Sequence, residues 1–438
     1  MLTARPRIGA PEVALPREGG PGAVHWHAWV WVLGSALLWP LGANAMTELM
    51  LQLDSSLRFD SNPLRFTDDA NIAAALGRDR KSDTIFANDI RAALVQPLDS
   101  PQTRLILTGQ LGRRNYSQLT QLDNTEYAYR AAFEWRWGEL WRGEMGHREE
   151  QQLYNYLNGS LTTLEMVQTK TDNLEVALRV TPDIELPVTF RNRRFDYQTA
   201  VNQVFNSQER VVDAGLRYQT TTRSSLRAGL RSTTVNFPTR DAAQIATLDR
   251  GYVDTEIYAE TDWQYSVMTR FSGRLASLTR RYDTLGAKNF SALTTELHAL
   301  HDYSPLTRLT LDVWSRPYGL TDPTILYTTA LGAQLGVRWQ ATAKTRVSVQ
   351  AINELQRYQY AALAAGQTNP ELNRVRLGGG LVYALSRDVR VYADGYHERI
   401  NRGTLGADIA QTFVRAGVEY TFENIDGLAK RSGFGERR

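Results

Sequence analysis

The feature that most constrains this chain is a two-residue alternation of apolar and polar side chains, repeated in runs of about ten residues after residue 45. The segment EYAYRAAFEWRWG, residues 126–138, shows the alternation most clearly. Its apolar phase holds Tyr127, Tyr129, Ala131, Phe133, Trp135 and Trp137, and its polar phase includes Glu126, Arg130, Glu134 and Arg136. Successive side chains of a β-strand point to opposite faces, so the pattern predicts strands with one apolar and one wet face.

Connections between these runs alternate between tight turns and longer polar segments. The turn sequences lie at Pro97–Gln102, Gly138–Glu139, Thr181–Asp183, Thr220–Arg223, Gln264–Val267, Tyr303–Pro305, Gln340–Ala343 and Ser386–Asp388. The longer connections include Asp60–Ser82, Gln151–Lys170, Phe237–Gly251 and Gln356–Asn373. Outer-membrane barrels join their strands by short periplasmic turns and longer extracellular loops in the same alternating order.

The two patterns together predict an all-β fold, a closed antiparallel transmembrane β-barrel of about 18 strands with both termini on the periplasmic side. Sixteen strands are possible, because the runs near Leu51 and His147 are weakly patterned. A soluble β-sandwich also shows alternation, but its aromatic residues concentrate at mid-strand in the core. Here they recur where strands reach the short turns, as an interfacial girdle does. These residues are Trp137, Tyr218, Trp263, Tyr303, Trp339, Tyr383 and Phe422.

The first 45 residues carry an export signal. An apolar stretch from Ala28 to Trp39 has the length of a signal-peptide core, and an A-x-A cleavage pattern ends at Ala45. A membrane-anchoring helix is the alternative, but Gly34 and Pro40 interrupt the stretch, which is shorter than a bilayer span requires. We therefore expect cleavage after Ala45.

The export signal divides the chain into three parts. Residues 1–45 form the predicted signal peptide, residues 46–422 the outer-membrane β-barrel, and residues 423–438 a polar periplasmic tail. The tail is either disordered or a contact segment, and its polar composition favours disorder. The expected location is the cell outer membrane.

Composition narrows the function classes. The chain is 42% hydrophobic with a mean hydropathy of -0.39, too polar for a bundle of membrane helices but suited to strands that show lipid at every second residue. Cysteine is absent, which removes thiolate chemistry and cysteine-based metal sites. The predicted export signal argues against a nucleic-acid partner.

An enzymatic site is not expected. Four histidines follow the predicted cleavage site, namely His147, His298, His301 and His397. His298 and His301 are three residues apart on a predicted strand and so lie on opposite faces, where they cannot share a ligand. No serine, acid and histidine combination stands out either. We therefore predict no catalytic residues, no metal site and no cofactor.

The polar phase of the strands predicts the interior of the barrel, and arginine dominates it. The predicted pore-lining residues are Arg130, Glu134, Arg179, Arg191, Arg217, Arg227, Arg231, Glu256, Tyr258, Glu260, Arg270, Arg274, Glu296, Arg308, Arg338, Arg346, Arg376, Arg390 and Arg415.

These charges allow two interpretations. An arginine-lined constriction would sort polar or anionic solutes, because the guanidinium fork suits carboxylate and phosphate groups. Equally, inward ladders of arginine and acid can neutralise one another and stiffen the wall. The strand with Asp254, Glu256, Glu260 and Asp262 lies between arginine-bearing strands, so cross-strand ion pairs are expected there. An inward tyrosine such as Tyr258 would either stack on sugar rings or fill space.

Three short segments resemble a known family. They are RFDSNPLRF at residues 58–66, QLDNTEYAY at residues 121–129, and Arg281-Tyr282 before a loop. They are similar to outer-membrane β-barrel proteins of exopolysaccharide biosynthesis, the porin-like barrels associated with exosortase-type polysaccharide loci. The resemblance implies export of a polysaccharide chain through the outer membrane, with periplasmic or inner-membrane synthesis proteins as partners. It supplies no catalytic residues.

Three functional hypotheses therefore follow from the sequence. The first is an outer-membrane channel that exports an extracellular polysaccharide. The second is a general or solute-specific porin for the uptake of small polar or anionic solutes. The third is a barrel that serves mainly as an anchor or assembly partner. In each case outer-membrane lipid surrounds the barrel.

Overall fold

The computed structural model describes residues 47–100, 102–154, 162–222, 224–318, 325–360, 370–425 and 428. It forms one sheet of eighteen antiparallel strands in which each strand pairs with its neighbours in sequence. The first strand pairs with both the second and the last, so the sheet closes into a barrel. The predicted fold class is confirmed, and eighteen strands rather than sixteen are present. The predicted signal peptide, residues 1–45, lies outside the described residues.

In chain order, β1 to β18 span Glu48–Asp60, Asp83–Ser100, Thr103–Tyr116, Asn124–Trp137, Trp141–Leu153, Met166–Thr181, Ile184–Tyr197, Ser207–Gln219, Ser225–Asn236, Gly251–Gln264, Thr269–Tyr282, Phe290–Ser304, Thr307–Tyr318, Ile325–Gln340, Thr345–Tyr360, Glu371–Ala384, Val389–Asn401 and Ile409–Glu423. Two short helices, α1 (Ile72–Leu76) and α2 (Ala242–Leu248), lie in the β1–β2 and β9–β10 connections. Within the described residues, no helix has both the length and the apolar character to cross a membrane.

The predicted turns coincide with the tight ends of the hairpins, but several loops at the opposite end are shorter than expected. Four of them comprise only residues 117–123, 198–206, 283–289 and 402–408. The predicted loop Gln151–Lys170 is also shortened, because β5 continues to Leu153 and β6 begins at Met166. Strand pairing continues beyond the apolar band there, since the ladder satisfies backbone groups whatever the polarity of the side chains.

The four short loops share one construction. Each contains a single turn of 3-10 helix, which is followed directly by an Asp or Asn in three loops and by Gly406 in the fourth. In three of them that residue accepts a hydrogen bond from the backbone N–H of a strand-end tyrosine: Tyr116 to Asp123 at 2.7 Å, Tyr197 to Asn206 at 2.7 Å, and Tyr282 to Asn289 at 2.8 Å. In the fourth loop, the Asp408 side chain instead accepts a hydrogen bond from the N–H of Arg402 at 3.3 Å.

A carboxylate in the preceding long connection, or in the first residue of the strand after it, stabilises three of these loops. Asp83 accepts from the N–H of Leu119 at 2.6 Å, and Asp249 accepts from the N–H of Leu285 at 2.6 Å. Glu165 accepts from the N–H of Gln198 at 2.9 Å. Each carboxylate satisfies loop N–H groups that have no strand partner, so adjacent loops are joined around the rim.

The outward face of the barrel is apolar and carries the expected aromatic residues at its short-turn end. Trp137 is 77% exposed and Tyr303 is 69% exposed, as expected for side chains that contact lipid. The other predicted girdle residues share this face by the register of their strands. The girdle therefore lies where the alternation predicted it.

Apolar clusters fill the interior beside β1 to β4. Near the long-loop end, the β1–β2 and β3–β4 connections bring in a cluster of Leu64, Phe66, Ile85, Tyr116, Leu119 and Leu122. Near the short-turn end, Leu428 packs fully buried against a second cluster, which consists of Met50, Ala93, Val95, Ile106 and Ala132. Leu428 thus makes a contact inside the region expected to be a polar tail, whereas residues 426, 427 and 429–438 lie outside the described residues.

Candidate functional site: the arginine-lined interior

The candidate site is a cavity of about 1800 Å³ inside the barrel, with its described lining contributed by strands β4 to β18. All nineteen residues predicted to line a pore share the inward face of their strands, because direct cross-strand partners lie on the same face. Twelve of them line the cavity: Arg179, Arg217, Arg227, Glu260, Arg274, Glu296, Arg308, Arg338, Arg346, Arg376, Arg390 and Arg415. Their role in a pore stays a prediction.

The other seven predicted residues lie in the wall or beyond this cavity. They are Arg130, Glu134, Arg191, Arg231, Glu256, Tyr258 and Arg270. Arg130 pairs with Glu144 at 2.6 Å, and Glu134 pairs with Arg104 at 2.7 Å. Those contacts hold the two side chains against neighbouring strands.

Tyr258 is the centre of a buried polar cluster. Its hydroxyl donates to Asp213 at 2.7 Å, and its ring lies beneath the guanidinium of Arg274 at 4.7 Å from the ring centroid. Asp213 also accepts from Arg231 at 2.7 Å and from Arg227. Tyr258 is only 3% exposed, so a solute in the cavity would meet the arginines around it and not its ring.

The acidic strand β10 forms the cross-strand ion pairs that the sequence predicts. Arg274 donates to Glu260 at 2.9 Å and also to Glu256. Arg270 pairs with Asp262, and Arg280 makes two bonds of 2.7 Å to Asp254. This part of the wall is therefore close to neutral, as the structural interpretation of the charges requires.

Elsewhere arginines outnumber the carboxylates they contact. Near the short turns, Glu185 lies within 2.6 Å of Arg142, 3.5 Å of Arg179 and 3.6 Å of Arg217. One negative charge thus faces three positive charges. Arg142 is absent from the predicted pore lining because β5 alternates weakly. Its pairing with Arg136 of β4 places it on the inward face.

A second group of three arginines surrounds Glu398, which is 1% exposed. Arg374 donates to it at 2.6 Å and Arg376 at 2.7 Å from strand β16. Arg65 reaches the same carboxylate at 2.6 Å from the β1–β2 connection. The backbone φ of Arg65 is 54°, a left-handed value that is uncommon for residues other than glycine. Because β17 is two strands from β1 in the closed barrel, this ion pair fixes the inward connection to the neighbouring part of the wall.

The residues of the RFDSNPLRF segment shape this inward connection. The Asn62 side chain accepts the N–H of Phe66 at 2.9 Å and donates to the carbonyl of Phe66 at 2.8 Å, which closes a tight loop. It also donates to the carbonyl of Ala410 at 3.1 Å. Leu64 and Phe66 then enter the apolar cluster. The sequence does not predict the contacts with Ala410 and with the apolar cluster, because they join residues that are distant in the chain.

Thirteen arginines and seven carboxylates line the cavity. Three of these arginines, Arg136, Arg142 and Arg316, are absent from the predicted pore lining, although Arg136 was assigned to the polar phase of its strand. Within the described part of the chain, Arg316 has no hydrogen bond, ion pair or ring contact, and it is exposed. An exposed guanidinium of this kind can bind an anion without first breaking a contact within the protein.

His298 and His301 lie on opposite faces of β12, as the sequence predicts. His298 faces the cavity and lies 2.7 Å from Asp312, whereas His301 lies on the other face beside Thr269 at 2.9 Å. Across the described ranges, no three His, Asp or Glu side chains are placed to hold a metal ion. The expected absence of a catalytic site stays a prediction.

Comparison with known proteins identifies the fold. Two crystal structures of OccK2 (OpdF) from Pseudomonas aeruginosa are similar to this chain. One is 9% identical with a TM-score of 0.51, and the other, a complex with glucuronate, is 10% identical with a TM-score of 0.50. Each comparison covers 86% of this chain and 98% of OccK2. OccK9 (OpdG) from the same organism is 10% identical with a TM-score of 0.48, over the same shares of the two chains.

No protein-family model and no curated protein sequence matches the chain. The structural likeness, at 10% identity or less, therefore establishes the fold of an outer-membrane porin-like barrel and not the solute. A closed eighteen-strand barrel of this kind is located in the outer membrane, with membrane lipid around it.

Proposed function

We propose that this protein is a solute-specific porin for the uptake of small anionic solutes, with carboxylates as the preferred class. The observation that carries the proposal is the excess of arginine over carboxylate in the cavity, thirteen against seven. Fixed positive charge in a narrow, low-dielectric passage concentrates anions and speeds their entry. Guanidinium groups bind carboxylates through two parallel hydrogen bonds.

The order of the arginines along the wall supports passage rather than tight capture. Arg316, Arg376 and Arg415 lie about halfway along strands β13, β16 and β18 or higher, whereas Arg308, Arg338, Arg346 and Arg390 lie within three residues of the short turns. A carboxylate moving inward would exchange one guanidinium for the next. Transport needs several sites of moderate affinity, because a single strong site would hold the solute.

Glucuronate is an informative solute for a test, because it combines a carboxylate with a sugar ring and is present in the OccK2 complex. In this chain, the cavity lining offers both kinds of contact. Tyr396 stacks on Phe413 with ring centroids 5.2 Å apart, and Arg376 lies 4.2 Å from the Tyr396 ring centroid. A uronate could place its ring near the aromatic pair and its carboxylate near the arginines.

Export of an extracellular polysaccharide is the second candidate. The stacked Tyr396 and Phe413 pair favours it, since aromatic platforms also suit sugar chains. The RFDSNPLRF segment, whose resemblance implied export, has a structural role here, because Asn62 and Arg65 fix the β1–β2 connection inside the barrel. Uptake of small anions is therefore the better supported proposal, and periplasmic synthesis partners remain part of the second candidate.

Ion selectivity in planar bilayers tests the uptake proposal. We expect the purified protein to favour chloride over potassium, and glucuronate to reduce the chloride current as it occupies the cavity. The variant with Arg316→Gln and Arg390→Gln should lose anion preference, whereas the outward-facing Arg357→Gln control should keep it. Cation preference in the unaltered protein would overturn the proposal. Loss of secreted polysaccharide in a deletion strain, with glucuronate uptake intact, would favour export instead.

A further inference from the structure

A polar belt crosses the outward face of the barrel on strands β5 to β11, from the middle of β5 to the long-loop end of β11. His147, Asp172, Asn192 and Arg210 are direct cross-strand partners in one row. The same row continues through Thr234 and Val253 to Arg281. The row therefore follows the barrel around seven consecutive strands at one register.

The belt lies on the face that contacts lipid. Leu174, Phe190 and Val212 are each two residues from a member of the row on the short-turn side, and all three are at least 40% exposed. Side chains two residues apart on a strand share a face, so the row lies directly above the apolar band. Because the strands are tilted, the row rises from mid-strand at His147 towards the longer loops, which mark the extracellular side. Arg210 and Arg281 lie close to the loop ends of β8 and β11, which places these two arginines near the level of the outer-leaflet headgroups.

Several polar and charged groups in and beside the belt contact one another. His147 lies 2.7 Å from Asp172, and Arg194 pairs with Asp196 at 3.0 Å. Glu149 accepts from the hydroxyls of Tyr127 and Tyr129 at 2.8 Å and 2.7 Å. This arrangement is a hydrogen-bonded polar surface, unlike the leucine and valine face below it.

Arg210 and Arg281 are the exceptions. Both are exposed, and neither has a hydrogen bond, ion pair or ring contact among the residues that the structure describes. Three strand spacings separate them, or about 14 Å. An arginine on the lipid face is stable only where an anion or water replaces the hydrocarbon, because a charge in the bilayer interior costs about 2–4 kcal/mol.

We propose that this belt binds the phosphorylated sugar headgroup of an outer-leaflet glycolipid, with phosphate groups at Arg210 and Arg281. Guanidinium groups match phosphate oxygens in charge and geometry. The Asn192 side chain accepts a hydrogen bond from Gln208 at 3.2 Å, and its amide can contact sugar hydroxyls. A second copy of this chain is a poorer occupant. Subunit interfaces have an apolar core depleted of charge, whereas this surface is charged along its length.

The test measures lipid binding to the whole barrel in detergent by native mass spectrometry. The probes are lipid A with its two phosphates, lipid A with both phosphates removed, and phosphatidylethanolamine. We expect phosphorylated lipid A to bind more tightly than the other two. The Arg210→Gln and Arg281→Gln double variant should lose about 25-fold in affinity for it, because each surface arginine contributes about 1 kcal/mol toward an anionic lipid.

The matched control is Arg191→Gln, an inward-facing arginine that also has no contact within the described residues. It should bind phosphorylated lipid A as the unaltered protein does. Equal binding of phosphorylated and dephosphorylated lipid A would overturn the proposal, as would unchanged affinity in the double variant. A double variant that loses a dimer or trimer and keeps its lipid affinity would show that a second copy covers the belt. If the double variant fails to fold, the two single variants answer the same question, each with about a 5-fold loss expected.

Discussion

The two sides of the barrel interior differ in what fills them. Beside β1 to β4, apolar side chains from strands and loops pack into two closed clusters, and Arg65 fixes the β1–β2 connection to Glu398 on the nearby strand β17. Beside the remaining strands, arginines line a cavity of about 1800 Å³. One side therefore contributes stability in the manner of a soluble core, and the other keeps charged groups accessible to solutes.

The contrast teaches where inward charge is structural and where it is free to act. Asp89 at the filled side is 3% exposed and pairs with Arg114 at 2.8 Å, so it belongs to the wall. Arg316 at the cavity side is exposed and has no contact in the described ranges. The two inward arginines Arg114 and Arg316 thus have different roles according to what lies opposite each of them. Mutations on the two sides should separate stability from selectivity.

The largest expected effect on stability is at the contact between the two sides. Glu398→Gln removes the charge that Arg65, Arg374 and Arg376 share. We expect a loss of about 3 kcal/mol in the free energy of unfolding, at the low end for a broken buried ion pair because Arg374 and Arg376 keep some contact with water. Urea unfolding of the barrel in lipid vesicles measures this loss.

The control is Glu371→Gln, whose pair with Arg357 is about half exposed and should contribute under about 0.5 kcal/mol. Equal losses in both variants would show that burial of Glu398 is unimportant.

Truncation of the apolar cluster should have the next largest effect. Leu122 is 0% exposed, so Leu122→Ala leaves a cavity in the filled side and should lower the free energy of unfolding by about 2–3 kcal/mol. Leu331→Ala changes a lipid-facing side chain that is 54% exposed, and its loss should be smaller because lipid fills the space. Unfolding in vesicles compares the two variants. A larger loss at Leu331 would mean that the cluster does not act as a core.

The carboxylate in the β9–β10 connection should make the adjacent short loop sensitive to acid. Burial alone raises the pKa of Asp249, but N–H donors from Leu285, Thr284 and Arg250 outweigh it and hold that pKa below its usual value. A lowered folded pKa stabilises the loop above the ordinary carboxyl pKa of about 4, and this stabilisation is lost as the pH falls through the folded value. Asp249→Asn should cost about 1–2 kcal/mol.

Hydrogen exchange at the Leu285 amide, corrected for the intrinsic pH dependence of exchange, measures this effect. Protection should be retained at pH 6 and decline below about pH 4 in the unaltered protein. In Asp249→Asn it should be low at both pH values. The exposed Asp69→Asn is the control, with no change in protection at Leu285 expected. Protection that persists at pH 2 would contradict the assignment.

The smallest expected effect on stability is on the cavity side. Arg316→Gln should change the free energy of unfolding by less than about 0.5 kcal/mol, since the side chain has no contact to lose among the described residues. The same variant should reduce chloride preference in planar bilayers. A clear loss of stability with unchanged selectivity would assign Arg316 to the wall and remove the distinction between the two sides.

Much of this architecture is determined locally by the sequence. Alternation in segments such as residues 126–138 specifies which side chains face inward, because a strand has only two faces. Turn residues such as Pro182 and Asp183 specify where hairpins end. Ion pairs between neighbouring strands, such as Arg274 with Glu260, follow from the same register. The alternation alone therefore predicts that all nineteen residues face inward.

Only the tertiary structure decides what each inward side chain meets. Arg65 and Glu398 are far apart in the sequence, and no local pattern predicts that a loop would turn inward and bring Arg65 to Glu398. Tyr258 and Tyr396 both lie on inward faces, yet one is buried under arginines and the other lines the cavity. The face on which a side chain lies is determined by its own strand. The accessibility of that side chain depends on the loops and distant strands that pack against it.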